Sequence, residues 1–307
     1  MAKGNMLLGM SRGSVGDVTF YRSGGSQRAR ARNRKPANPM TVRQQTQRAK
    51  FANAVKFHKQ VTSNFFRFAY EDKKVNESDY NAFMRHNVGN SGFIGAKASK
   101  IASWPALGLW EVTSGSLPEI GVSVPTGSTR FTADLGISGT ITTIGALSAA
   151  LIASGDTWRD GDILTVLLYR ATAAAKLPTV DTETKHTASS SYLQIILDSS
   201  DTTTLSSLYG MIGGLEFIIA FDDTDGLLVY NTEQDWETAW ASDLLQCAVI
   251  HSRNTAGGLL VSTQSMVANK SQVITDALTE GGTYYNAVLA DWDAAAEAVL
   301  QGGGAAN

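Results

Sequence analysis

Arginine occupies every second position from 28 to 34 in the run QRARARNRKP, and this is the residue pattern in the chain best suited to chemistry. That chemistry is recognition of negative charge. Side chains alternate faces along an extended strand, so Arg28, Arg30, Arg32 and Arg34 share one face at a pitch of roughly 7 Å, with Ala29 and Ala31 on the other. Such a row suits a phosphate backbone, and it suits a row of carboxylates on another subunit equally well. Arg22, Lys35, Arg43, Arg48, Lys50, Lys56 and Lys59 extend the candidate polyanion or subunit-contact set. The wider charge pattern agrees: residues 1–100 carry 19 Lys+Arg against 5 Asp+Glu, and residues 101–307 carry 7 against 23. A basic head on an acidic body describes a binding or assembly protein.

Catalytic patterns are weak by comparison. The G-x-S-x-G string occurs as GMSRG at 9–13, but a nucleophilic serine needs a buried strand before it, and only eight residues precede that string. FDDTDG (221–226) resembles a calcium loop, yet aligning Gly226 with the required glycine places Phe221 and Thr232 at ligand positions. It reads as a turn between strands. DTWRDGD (156–162) reads as a polar turn, with a weak cation site as the alternative. His58, His86, His186 and His251 show no metal-ligand spacing, and neither a Walker loop nor a dinucleotide fingerprint is present. The expectation is a protein that is not an enzyme, with no catalytic or metal residues and no cofactor.

These residues must be held by definable elements. A strand over 15–22, the turn SGGS (23–26) and the arginine run make a basic extended arm over 1–40, ended by PANPM. Thr41 reads as a helix N-cap, and Val42 to about Phe57 as a basic amphipathic helix whose apolar set is Ala49, Phe51, Ala52 and Val55. NFFRFAY (64–70) and NESDYNAFMRHN (76–87) read as two more helices, the latter capped by Asn76 or Ser78. Phe51, Phe57, Phe65, Phe66, Phe68, Tyr70, Tyr80 and Phe83 are assigned to core packing ahead of base stacking, because so small a helical unit has little else to bury. Glycines 89, 92 and 95 mark a linker that closes a unit over 41–103.

From 104 to 283 the chain becomes rich in short β-prone runs: 109–113, 120–124, 130–135, 139–144, 163–171, 191–197, 215–221, 227–230, 244–253 and 259–267. The segment 244–267 reads as a hairpin around NTAGG. An amphipathic helix over 284–301 and a loose tail complete the region 284–307. The expected class is α+β, mainly β, with a β-sandwich or jelly-roll-like body. The single cysteine, Cys247, lies in the apolar run LLQCAVI and reads as a buried thiol that cannot form an intrachain disulfide. No window approaches 18 apolar residues and the start is too short in apolar residues for a secretory signal, so synthesis in the cytoplasm with no membrane partner is expected.

The N-terminal region also resembles a group of proteins encoded by phages and prophages. The matching positions are Gly13, Val15, Gly16 and Val18 of a G-x-V-G-x-V segment, Arg32, Asn33, Asn38 and Pro39 of an R-N-x4-N-P segment, and Gln44, Gln47 and Arg48 of a Q-x-x-Q-R helix. The resemblance covers about the first sixty residues and, more loosely, HSRNTAGGLLVSTQSMV. It implies a virion-associated role and transfers no catalytic residue. The expected function is a viral structural protein, a coat or coat-associated subunit located in the virion. Its partners would be copies of itself and other virion proteins, with DNA or RNA as a further contact. The alternative is a nucleic-acid-binding packaging or genome-organising protein.

Overall fold

The structure is a computed structural model, and it describes residues 13–23, 26–32, 41–64, 66–93, 106–155, 157–172, 187–286 and 289–290. The chain divides into two compact units, residues 1–44 and 45–307. It is an α+β protein, mainly β.

In the first unit, β1 (Gly13–Val15), β2 (Val18–Ser23) and β3 (Ser26–Ala31) form an antiparallel sheet in that order. The single strand expected over 15–22 is therefore two. The turn between them pairs Val15 with Val18 and places Gly16 at φ 55°, a left-handed position that hairpin loops fill with glycine. Helix α1 (Val42–Thr62) begins here, and the Gln44 amide donates to Thr41 Oγ1 at 3.4 Å, the N-cap contact expected from the sequence.

Most of α1 belongs to the second unit, and it runs five residues beyond the expected Phe57. Its buried side chains are Gln45, Thr46, Ala49, Asn53, Ala54, Phe57 and Val61. Phe51 is 50% exposed and Ala52 is exposed, so the apolar face expected from those two is turned away from the core. NFFRFAY is not a helix. Asn64 is in a turn, and residues 66–70 run into β4 (Ala69–Tyr70), because Phe66, Phe68 and Tyr70 are buried at every second residue, the period of a strand. Phe65 lies outside the described residues. Helix α2 (Asp79–Asn87) follows with Ser78 as N-cap.

The expected Gly linker is part of the packed structure at Gly92. Its amide donates to the Leu107 carbonyl at 2.9 Å, and a Cβ there would meet the Leu107 and Ala277 carbonyl oxygens at 2.8 and 3.0 Å. Gly95 lies outside the described residues. Strands β5 (Glu111–Ser114), β6 (Gly121–Ser123) and β7 (Phe131–Asp134) come next. GTITTI, expected as a strand, instead leads into α3 (Ile144–Ser154), because Thr143 Oγ1 accepts from the Ala146 amide and starts a helix there. Then come β8 (Ile163–Ala171), β9 (Ala188–Ile196), β10 (Tyr209–Ile212), β11 (Leu215–Asp222), β12 (Gly226–Tyr230) and α4 (Gln234–Ser242). The described chain closes with β13 (Leu244–Thr255), β14 (Gly258–Val261), β15 (Gln264–Ser265), β16 (Val267–Ala268) and α5 (Ser271–Leu278). Residues 283–286 and 289–290 are helical, and the rest of the helix expected over 284–301 lies outside the described residues.

Three sheets build this unit, in the orders β10-β11-β12-β7-β6, β14-β13-β8-β9 with β16 also on β13, and β15-β5-β4. Central strands β8 and β13 bury both faces, which is why each reads as a nearly continuous apolar run. One face, with Leu167, Tyr169, Ala248 and Ile250, joins Phe57, Phe68, Phe83 and Trp110 in a cluster that includes residues on both sides of position 103. The other face, with Leu164, Val166, Cys247 and Val249, joins Phe131, Phe217 and Val229 of the five-stranded sheet together with residues of α3 and α4. Each large side chain fully buried in these clusters contributes about 1.5–3 kcal/mol of hydrophobic stabilisation.

Candidate polyanion and subunit interface

The arginine row begins in β3. The register pairs Arg28 with Tyr21 and Arg30 with Thr19, so these four side chains share a face, while Ala29 and Ala31 lie opposite Phe20 and Val18 on the other. Arg28 and Arg30 are exposed, and the Arg30 guanidinium sits 5.6 Å from the centroid of the Tyr21 ring, a cation–π contact that leaves its N–H groups for an anion. Arg32 follows the strand, exposed, with its amide donating to the Asp17 carbonyl. Arg34 and Lys35 lie outside the described residues. Arg22 stands opposite Gln27 in the ladder, and its side chain also lies outside the described set.

The helix cations are not equivalent. Arg43, Arg48 and Lys59 are exposed. Lys50 is about 200° round the helix from Arg48, and its ammonium lies 4.6 Å from the Phe93 ring centroid. Lys56 is partly buried, and that burial brings its pKa down to about 8. Of the expected cations on the second unit's part of the helix, Arg48 and Lys59 face solvent together.

Two charged clusters escaped the sequence reading. On the surface, Arg85 bridges Asp72 (2.7 Å) and Glu77 (3.1 Å), while His86 lies between Asp72 (3.1 Å) and Glu111 (2.8 Å). The Arg85 hydrogen bond is the main reason the Asp72 carboxyl falls to about 2. The second cluster is buried. Asp162, at the end of the supposed polar turn DTWRDGD, is 1% exposed and accepts from Arg253 Nε at 2.7 Å and Nη2 at 2.6 Å and from the Arg159 amide at 3.0 Å. Its Oδ2 is also 2.8 Å from His251 Nε2, and the His251 ring stacks on Trp158 with centroids 3.9 Å apart.

A His–Asp pair can orient a catalytic base, but that function needs a reachable second nitrogen. His251 Nδ1 is buried, has no hydrogen-bond partner among the described residues, and belongs to a side chain with no solvent exposure. In this structure the pair packs against Trp158 and is charge-balanced by Arg253. A cleft of about 260 Å³ beside Phe66 and Arg67 is lined by Tyr192, Gln194 and Asn254, and an adjoining one of about 410 Å³ is lined by Glu71, Lys73 and Asp79. Among the described residues, no group of three or more His, Cys, Asp and Glu side chains converges as a metal site, and no helix is long and apolar enough to cross a membrane. The FDDTDG segment is the β11–β12 turn, with Asp222 accepting from the Thr224 and Asp225 amides and Asp225 paired to Arg130.

Residues 10–102 match the model of a family of unknown function, DUF6266. The match takes in the arm, α1, β4 and α2 and stops before β5. No curated protein and no solved structure matches the chain.

Proposed function

We propose that this chain is a structural subunit of a phage virion, a coat or coat-associated protein that assembles through its basic arm. The observation that carries the reading is the arm's sheet. Its six-residue strands expose Val18 (38%) and Tyr21 (38%) on opposite faces, with Arg28, Ala29, Arg30 and Ala31 all exposed. A three-stranded sheet in which none of the described side chains is fully buried has little to offset its ordering entropy, so a partner surface is its natural complement. Two sheets contributing to one apolar cluster support a sandwich-like body, a common shell-building unit. The acidic remainder offers such an arm a like-built neighbour as partner, and other virion proteins or the packaged DNA or RNA as further contacts.

Negative-stain imaging and light scattering of the purified chain at low and high salt test this. Closed or helical particles of many copies, formed without nucleic acid and dispersed by salt, are the expected result. A small oligomer that gains mass only on adding DNA or RNA favours the second reading, a packaging or genome-organising protein whose motivation is the solvent-facing arginine row.

A further inference from the structure

We infer that the open face of the five-stranded sheet is where the arm of a second copy docks, an inference that rests on the subunit reading above. The register of β10, β11 and β12 puts Tyr209, Ile218 and Tyr230 on one face in a row, with Met211 and Glu216 paired beside them. The other face of these strands supplies Phe217, Ile219 and Val229 to the core. An antiparallel sheet with one face in the core ordinarily turns polar side chains outward. Here Tyr209 is 61% exposed and Met211 51% exposed, so large apolar groups stand in water at the positions where Thr, Ser or Lys would serve a monomer.

Charge selects the occupant. None of the five strands contains a Lys or Arg, whereas Glu216, Asp222 and, on β7, Asp134 share this face and are exposed. The face therefore pairs aromatic rings with carboxylates, and the neighbouring cation Arg130, one residue before β7, is already held by Asp225. The arm's sheet is its complement: Tyr21, Arg28 and Arg30 on one face, with a guanidinium already seated on a tyrosine ring. Two such faces can pack at about 10 Å, each arginine meeting a carboxylate or the face of Tyr209 or Tyr230. One docked arm buries a small area, and the many copies of an assembly supply the avidity.

A charge swap on the full chain tests the pairing by sedimentation velocity across concentration and salt. Glu216→Lys with Asp134→Lys, and separately Arg28→Glu with Arg30→Glu, should each weaken self-association at least about tenfold, since like charges brought together are strongly unfavourable. Glu216→Gln with Asp134→Asn, which only neutralise the exposed face, should give a smaller loss in the same direction. The chain carrying all four reversals should associate again. Failure of that chain to recover, or wild-type association by both body variants while the arm variant dissociates, overturns this docking face and leaves the subunit reading standing. Association unchanged by the arm variant, or a monomer at every concentration, overturns both.

Discussion

His251 and Asp162 meet at 2.8 Å with both side chains almost wholly withdrawn from water, although 89 residues separate them in sequence. An ionised Asp162 can only accept, so Nε2 holds the imidazole proton and Nδ1 is left as the bare acceptor. Arg253 neutralises the carboxylate through two N–H groups, which makes the site a charge-balanced junction between the β8 end and β13.

Removing the carboxylate should be severe. Asp162→Ala leaves Arg253 and His251 without their shared acceptor, and breaking one side of a buried pair costs about 3–5 kcal/mol. Chemical denaturation should show that loss with an unchanged slope, and a shift under 1 kcal/mol would mean that water replaces the carboxylate.

Acid should destabilise the body. Burial holds His251, and likewise His58, below the ordinary value of 6.5, so the unfolded chain takes up these protons first. Their contribution is intact above that value and falls as pH drops through it. At Asp162 burial acts upward on the carboxyl, but the hydrogen bonds from Arg253 and His251 outweigh it and the net shift is downward. That contribution is present above the ordinary 3.8 and is lost as pH falls through the depressed folded value. Melting temperature should decline between pH 7 and 5 and again below 4. A flat profile from 7 to 5 would rule out the histidine part.

The orientation of α1 predicts a contrast between two phenylalanines. Phe57 is fully buried and stacks on Trp110 with centroids 4.3 Å apart and planes 12° from parallel. Phe57→Ala should cost about 3–5 kcal/mol, and the half-exposed Phe51→Ala should stay within about 0.5 kcal/mol. Equal losses in urea titrations would contradict the helix orientation.

Cutting the chain before Thr41 should remove assembly and spare the fold. The truncated chain retains the helix cap and both large apolar clusters, so it should melt cooperatively as a small species by size-exclusion chromatography with light scattering. Loss of the cooperative melt would place residues 1–40 in the core.

Replacing Arg28, Arg30, Arg32 and Arg34 with Gln should reduce retention on immobilised heparin or DNA, or assembly, and flatten the salt dependence of whichever falls. Wild-type behaviour at every salt concentration would reduce the row to a solvated edge.

Much of the β body was legible because β8 and β13 are apolar over a length no turn signal interrupts, and the expected 163–171 matches β8. The errors arose where two periods compete. NFFRFAY contains aromatics at spacings that satisfy both a helix and a strand, and tertiary burial of Phe66, Phe68 and Tyr70 decided for the strand. Phe51 looked like core by type alone, yet Ala49, Asn53 and Phe57 define the buried stripe, two small or polar residues around one large one. Helix α3 lay behind a Thr/Ile run of high β propensity and was betrayed only by Thr143 as cap. The Asp162 junction could not be read locally, because the pairing of Ser252 with Ile163 and His251 with Leu164 is what carries Arg253 and His251 to it.

Cys247 gives the molecule an internal clock. The thiol has no solvent exposure, lies in the strand that holds three others, and burial pushes its pKa far upward, so an added disulfide reagent cannot reach a thiolate while the body is closed. Modification must then wait for β13 to separate from its partners, and its rate reads out the opening frequency of the whole body rather than of the arm. A single mass-spectrometric time course, with and without assembly conditions, would report how far incorporation into a particle slows that opening.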